Sequence, residues 1–272
     1  MKNSINENFK ILNKTREEML FLSKSEIRLN ILKCLKERSA TVKEIVKITE
    51  LTYSSVSSNV KKLENNKCIK KNENNKFEIS HMTRIYLDSL LNFSNCLKFI
   101  NRYEEFLNKH NINEISDNEL ENINSLINSE LIKSTPIDIY KTHNSIKSFL
   151  LNSHDIKAVL PFLHPDYPKI LENRLLEGGS LQLIVPDEIY KNLILKIDSN
   201  IRRKSLENGK LIVYKTRVTV EIYLTIGEKR TSLGLFKNDN SFDQNRILTS
   251  IDEEAIKWSE NLFSNIVNRL EA

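Results

Sequence analysis

Apolar positions in the first third of the chain recur at helical spacing in three short bursts, then switch to strand alternation. Ile27, Ile31, Cys34 and Leu35 share one face of a first helix. The spacing predicts that it starts from a capping box, Ser23-x-x-Glu26, and fades near Arg38 and Ser39. Thr41-x-x-Glu44 repeats the box before a shorter helix that ends near Thr49 and Glu50, with Val42, Ile45 and Val46 inward. The third burst, Val56, Val60 and Leu63, lies within Leu51–Glu64 at spacings of 4 and 3. Cys68–Lys71 and Lys76–Ile79 then alternate like two strands joined by a turn at Asn72-Glu73-Asn74-Asn75.

Three helices followed by a hairpin form a winged helix-turn-helix, assigned to residues 1–80. The third helix carries the chemistry. Around its apolar seam stand Thr52, Tyr53, Ser54, Ser55, Ser57, Ser58, Asn59, Lys61 and Lys62. Serine and threonine are poor mid-helix residues because they compete for the backbone. Short polar groups opposite a buried seam suit a recognition helix, which must enter a major groove and reach base edges. Lys70, Lys71 and Lys76 would lie on the wing beside phosphates. Taken singly, a Ser-rich helix start and a Lys-rich hairpin are ordinary surface features, the second a protected edge. Their order is what points to double-stranded DNA.

His81 to His110 contains no Gly or Pro and reads as one connecting helix, residues 81–110. Tyr86, Leu90, Phe93, Leu97, Ile100, Glu104 and Leu107 alternate at 4 and 3, a heptad-like seam broken only by Glu104. The seam predicts a homodimer, since paired half-sites call for two modules. The competing reading buries the helix inside one monomer.

Residues 111–272 mix both periods. Ser116-x-x-Glu119 opens a helix, and Ser134-Thr135-Pro136 breaks the pattern. Strands are predicted at Ile156–Leu160, Leu181–Val185, Leu211–Tyr214, Val218–Ile226 and Thr231–Phe236, the last two forming a hairpin. Helices are predicted at Pro165–Leu176, stopped by Gly178-Gly179, and after the Leu181–Val185 strand to about Glu207. A final helix capped by Ser250-x-x-Glu253 turns Ala255, Trp258, Leu262, Ile266 and Leu270 inward. The fold class is therefore mixed α/β (α+β): a winged helix-turn-helix, a long connecting helix, and an α/β domain with a mixed sheet and a C-terminal helix.

Composition adds a charge asymmetry. The net charge is +5, but residues 1–110 hold 21 Lys and Arg against 13 Asp and Glu, and the remainder is net −3. A basic N-terminal part suits a polyanion. Three dispersed cysteines, Cys34, Cys68 and Cys96, predict a reducing, cytoplasmic setting without disulfides. No apolar run is long enough for a membrane span. The sequence contains no P-loop, no G-x-G-x-x-G, no G-x-S-x-G and no H-x-K-x-x-x-x-D. Neither an enzyme nor a cofactor is expected. The five histidines show no metal-ligand spacing, so no metal is expected; the one alternative is a site built from distant His and Cys residues.

Several short runs carry a family resemblance. They are His164-Pro165-Asp166-Tyr167-Pro168, Gly178-Gly179 ahead of Leu181–Val185, and Ser232-Leu233-Gly234-Leu235-Phe236 with Asp243 downstream. The ending Asp252-x-x-Ala255-x-x-Trp258-x-x-x-Leu262-Phe263 completes the set. Together they resemble the archaeal methanogenesis-regulator family, a winged helix joined to a regulatory middle domain. The resemblance implies an archaeal, cytoplasmic transcription factor. Asp166 departs from the family's Glu, and Asn240-Ser241 from its Gly-containing turn. The expected function is sequence-specific regulation of transcription by a homodimer controlled through residues 111–272. The alternative is a protein-interaction module. His164, Tyr167, Arg174 and Arg217 are candidates to line a small-molecule effector pocket near strand ends. Against that, His164 and Tyr167 could simply cap and pack a helix start.

Overall fold

A computed structural model describes residues 13, 15–217 and 219–271. Two compact units meet between Ser94 and Asn95, inside a single long helix.

In the first unit, a helical segment over residues 15–23 precedes α1 (Glu26–Glu37), α2 (Val42–Thr49) and α3 (Tyr53–Asn65). The hairpin β1 (Ile69–Lys71) and β2 (Phe77–Ile79) follows. The core is the predicted one: Ile31, Cys34, Leu35, Ile45, Val56, Val60 and Leu63 are all buried. Burial pushes the Cys34 thiol up, as befits a packed residue. The box at Thr41 and Glu44 is closed in both directions. The first cap differs from expectation. The Ser23 hydroxyl donates to the Met19 carbonyl, and Ser25 caps α1 by accepting from the Arg28 N–H. The α3 helix ends on Lys67 in the left-handed region (φ 56°), with the Cys68 N–H on the Leu63 carbonyl. Asn72 Oδ1 accepts from the Asn74 and Lys76 N–H groups and holds the predicted turn. Paired Ala40 and Phe77 backbones pin the wing to the α1–α2 linker.

The connecting helix α4 (His81–Lys109) leaves helical dihedrals at Tyr103 (φ −116°, ψ 18°).

In the second unit, α5 (Asp117–Glu121), a 3-10 turn (Ile123–Leu126), β3 (Glu130–Lys133) and α6 (Lys141–Asn152) follow. Next come β4 (Ile156–Val159), α7 (Tyr167–Leu176), β5 (Leu181–Pro186), α8 (Asp187–Leu193), α9 (Ser199–Glu207) and β6 (Leu211–Thr216). The chain finishes with β7 (Ile222–Ile226), β8 (Thr231–Leu235), β9 (Arg246–Ser250) and α10 (Glu253–Glu271). Seven strands form one sheet in the order β3-β9-β8-β7-β4-β5-β6. The β4–β5 and β5–β6 pairs are parallel, while β7–β8 is an antiparallel hairpin. Each face of the sheet is covered. One core gathers Phe99, Tyr103 and Phe106 of α4 with Trp258, Leu262 and Ile266 of α10. The other gathers Phe149, Leu150, Tyr167, Leu171 and Leu193.

Several predicted boundaries move. The expected long helix after β5 is two, because Asp198 caps a new start with its carboxylate on the Asn200 and Ile201 N–H groups. The α7 helix begins at Tyr167, with Pro168 in its first turn. The last helix follows Asp252, whose carboxylate accepts from the Glu254 N–H, while Ser250 ends β9. Leu270 is exposed. Strand β7 starts at Ile222, and Val218 lies outside the described residues. Strands β3 and β9 lack a clear alternating pattern in sequence. Both pair along their length, antiparallel to each other.

The buried polar knot of this unit lies at the end of α4. His110 Nδ1 faces the Phe106 carbonyl, and Nε2 lies 3.0 Å from Asp243 Oδ2. Both ring nitrogens thus have a polar partner inside the core. Arg246 Nη1 reaches the same oxygen at 3.0 Å, and Oδ1 accepts from the Asn245 N–H. Burial alone would raise the Asp243 carboxyl. The Asn245 N–H, Arg246 and His110 outweigh it and hold the carboxyl below the ordinary range. Asp243→Ala would remove the buried carboxylate that His110 Nε2 and Arg246 Nη1 share. The expected loss is about 3–5 kcal/mol, read as a lower urea midpoint of the fluorescence of Trp258, the single tryptophan.

Candidate nucleic-acid interface

A helix of 13 residues that buries Val56, Val60 and Leu63 must turn the opposite side outward. On that side Ser54, Ser58, Lys61, Lys62 and Asn65 are exposed. Tyr53 stands at the first position of the helix and is 58% exposed. Asn65 was not among the expected residues. The continuing 4-3-4 spacing from Ser54 is the signal that could have found it.

The remaining α3 candidates hold the helix. The Thr52 hydroxyl caps it, accepting from the Ser55 N–H and donating to Ser55 Oγ at 2.9 Å. Asn59 Nδ2 donates to the Ser55 carbonyl at 2.9 Å. Ser55, Ser57 and Asn59 are half-buried on the flanks. Thr52, Ser55 and Asn59 therefore shape the helix start, while Ser54, Ser58, Lys61 and Lys62 make its outward stripe.

The wing lysines also divide. Lys70 is exposed and pairs with Glu78 at 3.1 Å across the hairpin, and Lys71 lies 5.3 Å over the Phe77 ring. Both keep their ammonium at the surface. Lys76 instead reaches Glu44 Oε1 at 2.9 Å and fastens the wing to the capping box of α2. The Thr41 N–H, then the Lys76 ammonium and the Thr41 hydroxyl, pull the Glu44 carboxyl down to about 2.

On α4 two apolar stripes occupy different faces. Phe99, Tyr103 and Phe106 face the α/β core. Tyr86, Phe93, Leu97 and Ile100 are exposed, as are Met82 and Ile85, and Leu90 is half-buried. The buried-helix reading thus fails for the seam from Tyr86 to Ile100. It holds for Leu107, which lies beyond the kink and packs against its own domain's core.

The four effector candidates separate. His164 lines a cavity of about 420 Å³ at the C-terminal end of β4, with Tyr140, His143, Phe162, Phe242 and Asn245 among its walls. Tyr167 is fully buried, its ring 5.5 Å from His164, and burial pushes its phenol up. Arg174 lies two turns along α7 and pairs with Glu177 at 2.6 Å, away from this cavity. Arg217 is exposed just beyond β6.

Comparison with known proteins covers both units. Residues 25–67 match the family model of the bacterial regulatory protein, arsR family. Residues 139–269 match that of the methanogenesis regulatory protein FilR1, middle domain. The methanogenesis regulatory protein FilR1 of Methanothrix harundinacea (strain 6Ac) is 24% identical over 250 residues, 90% of this chain. The chain spans 55% of that relative's length. Among solved structures, TrmBL2, an archaeal chromatin protein, aligns at 12% identity and TM-score 0.41, over 93% of this chain and 98% of its own. HmgR of Pseudomonas aeruginosa aligns at 11% identity and TM-score 0.26, over 89% and 95%.

The Glu44–Lys76 tie has a pH signature. Its folded-state pKa is depressed, so its contribution is present above the unfolded value of about 4.3 and is lost as pH falls through about 2. A carbon-13 NMR titration should place the Glu44 carboxyl midpoint near 2 in the native protein, and clearly higher in Lys76→Met. An unchanged midpoint in that variant would show that the wing lysine is not what holds the carboxylate.

Proposed function

We propose that this chain, which joins an arsR-family helix-turn-helix to the middle domain of methanogenesis regulatory proteins, is a sequence-specific DNA-binding transcriptional regulator. The observation that carries the reading is the division of α3: Val56, Val60 and Leu63 buried, with Ser54, Ser58, Lys61 and Lys62 outward. Hydroxyls on that stripe would reach base edges, and the lysines there and at Lys70 and Lys71 would neutralise phosphates. Phosphate contacts set affinity and register, and the short polar groups at base edges read sequence.

The regulator works as a homodimer through the exposed seam of α4. Tyr86, Phe93, Leu97 and Ile100 make an apolar stripe that a second copy would cover. Two recognition helices then address paired half-sites. The α/β unit carries no catalytic constellation among the described residues, and its role is regulation. A small effector held beside His164 and Tyr167 would bias two states of the dimer through different affinity for each. The protein works in the cytoplasm, where its dispersed thiols stay reduced.

Fluorescence anisotropy with DNA from the chain's own upstream region tests the first claim. Specific binding should exceed non-specific binding by about 10³-fold or more. Lys61→Ala and Lys62→Ala should each lower the salt-dependence slope by about 1. Absence of binding to any DNA at low salt would refute the reading. Combined alanine replacement of Ser57, Ser58 and Lys61 separates it from a pure interaction module: DNA affinity should fall while the dimer persists. For the dimer, Phe93→Glu with Leu97→Glu should yield monomers in analytical ultracentrifugation. A dimer that survives both changes must be built elsewhere.

A further inference from the structure

His143 and His164 show no ligand spacing in the sequence, yet the fold stacks them with ring centroids 3.8 Å apart. His143 stands in the first turn of α6, His164 in the loop after β4, and Asp166 directly before α7. One nitrogen of each imidazole and one Asp166 oxygen all lie within 4.8 Å of one another. All three side chains are half-exposed, and both imidazoles line the cavity at the end of β4. Among the described residues, neither ring nitrogen of His143 has a hydrogen-bond partner. His164 Nδ1 lies 4.0 Å from Asp166 Oδ2 and accepts the Asp166 N–H at 3.2 Å, so a metal must take that nitrogen from the N–H or turn the ring to use Nε2. A cation already occupies the acidic corner: Lys147 Nζ lies 2.6 Å from Asp166 Oδ2.

We propose that His143, His164 and Asp166 form a divalent transition-metal site of the zinc class, and that Lys147 is the ammonium the metal displaces. Two imidazoles and one carboxylate are a donor set for borderline metals, and three protein ligands leave a coordination position open. Both imidazoles line the cavity, whose wall also holds the amide side chains of Gln244 and Asn245. The stacked rings must turn to converge on one ion. The imidazole χ2 torsion is soft, so the turn is cheap. Both α6 and α7 begin here, and the positive ends of their dipoles oppose a cation. Strong imidazole coordination can overcome that opposition, whereas calcium or magnesium, which need several oxygen ligands, cannot. Exchanging one ammonium for a dication leaves net positive charge at the cavity, matched to an anionic ligand. The site lies wholly within the α/β unit and does not depend on the DNA reading.

Titration of the reduced full-length chain with Co²⁺, followed by Zn²⁺ competition, tests this. The expected result is one Co²⁺ per chain, with a d–d spectrum lacking a thiolate charge-transfer band. His143→Ala and His164→Ala should each weaken binding by about 100-fold or more. Lys147→Ala should tighten it, an effect that a purely structural role for the cluster does not produce. Trp258 fluorescence on urea unfolding shows that each variant is folded. Absence of binding at millimolar metal, binding that survives both histidine variants, or a thiolate band would each overturn the site. An unchanged affinity in Lys147→Ala would overturn the displacement.

Discussion

The DNA-facing reading rests on one constraint: α3 can bury only one stripe. Val56, Val60 and Leu63 seat it against Ile31, Leu35 and Ile45. Each fully buried aliphatic side chain contributes about 1.5–3 kcal/mol relative to exposure, so the helix cannot rotate to present another face. Everything outward follows. Ser54, Ser58 and Lys61 stand opposite because 3.6 residues per turn put them there. The wing holds its place because Ala40 pairs with Phe77 and because Lys76 ties it to the Thr41–Glu44 box. A lysine that looks like a phosphate ligand in the sequence is in fact a structural pin.

The connecting helix shows the same economy with two faces. Phe99, Tyr103 and Phe106 are committed to the α/β core, so they cannot also serve a partner. The stripe from Tyr86 to Ile100 has no such commitment. One helix thus commits one stripe to the core of the second unit and leaves another stripe exposed. The buried pair of His110 and Asp243 closes the committed end, where a carbonyl and a carboxylate fill both imidazole nitrogens. Such a pair is costly to break from one side, and it anchors the helix end against the loop between β8 and β9.

At the other end of the sheet logic, the end of β4 collects side chains from three separate stretches. His143 comes from α6, Phe162 and His164 from the loop after β4, and Phe242 and Asn245 from the loop before β9. The strand is parallel to β5 on one side and antiparallel to β7 on the other, and the loop that follows it lines the cavity. The proposed effector would sit here.

Local pattern determined a good deal. The three-helix order, the Thr41 box, the Asn72 turn, the mixed sheet and the Trp258 face of the last helix were legible, because each depends on periodicity or on contacts within a few residues. The outward stripe of α3 was legible for the same reason. The cap at Ser25, the split after β5, and strands β3 and β9 were not. A cap depends on which of several nearby hydroxyls meets a free N–H, and a strand without clear alternation is recognised only by its partner. Tertiary structure alone decided that Lys76 holds Glu44, that Leu107 belongs to the core, that Arg174 lies away from His164, and that His143 meets His164. Those pairings join residues far apart in the chain, and short-range spacing carries no information about which distant elements will pack together.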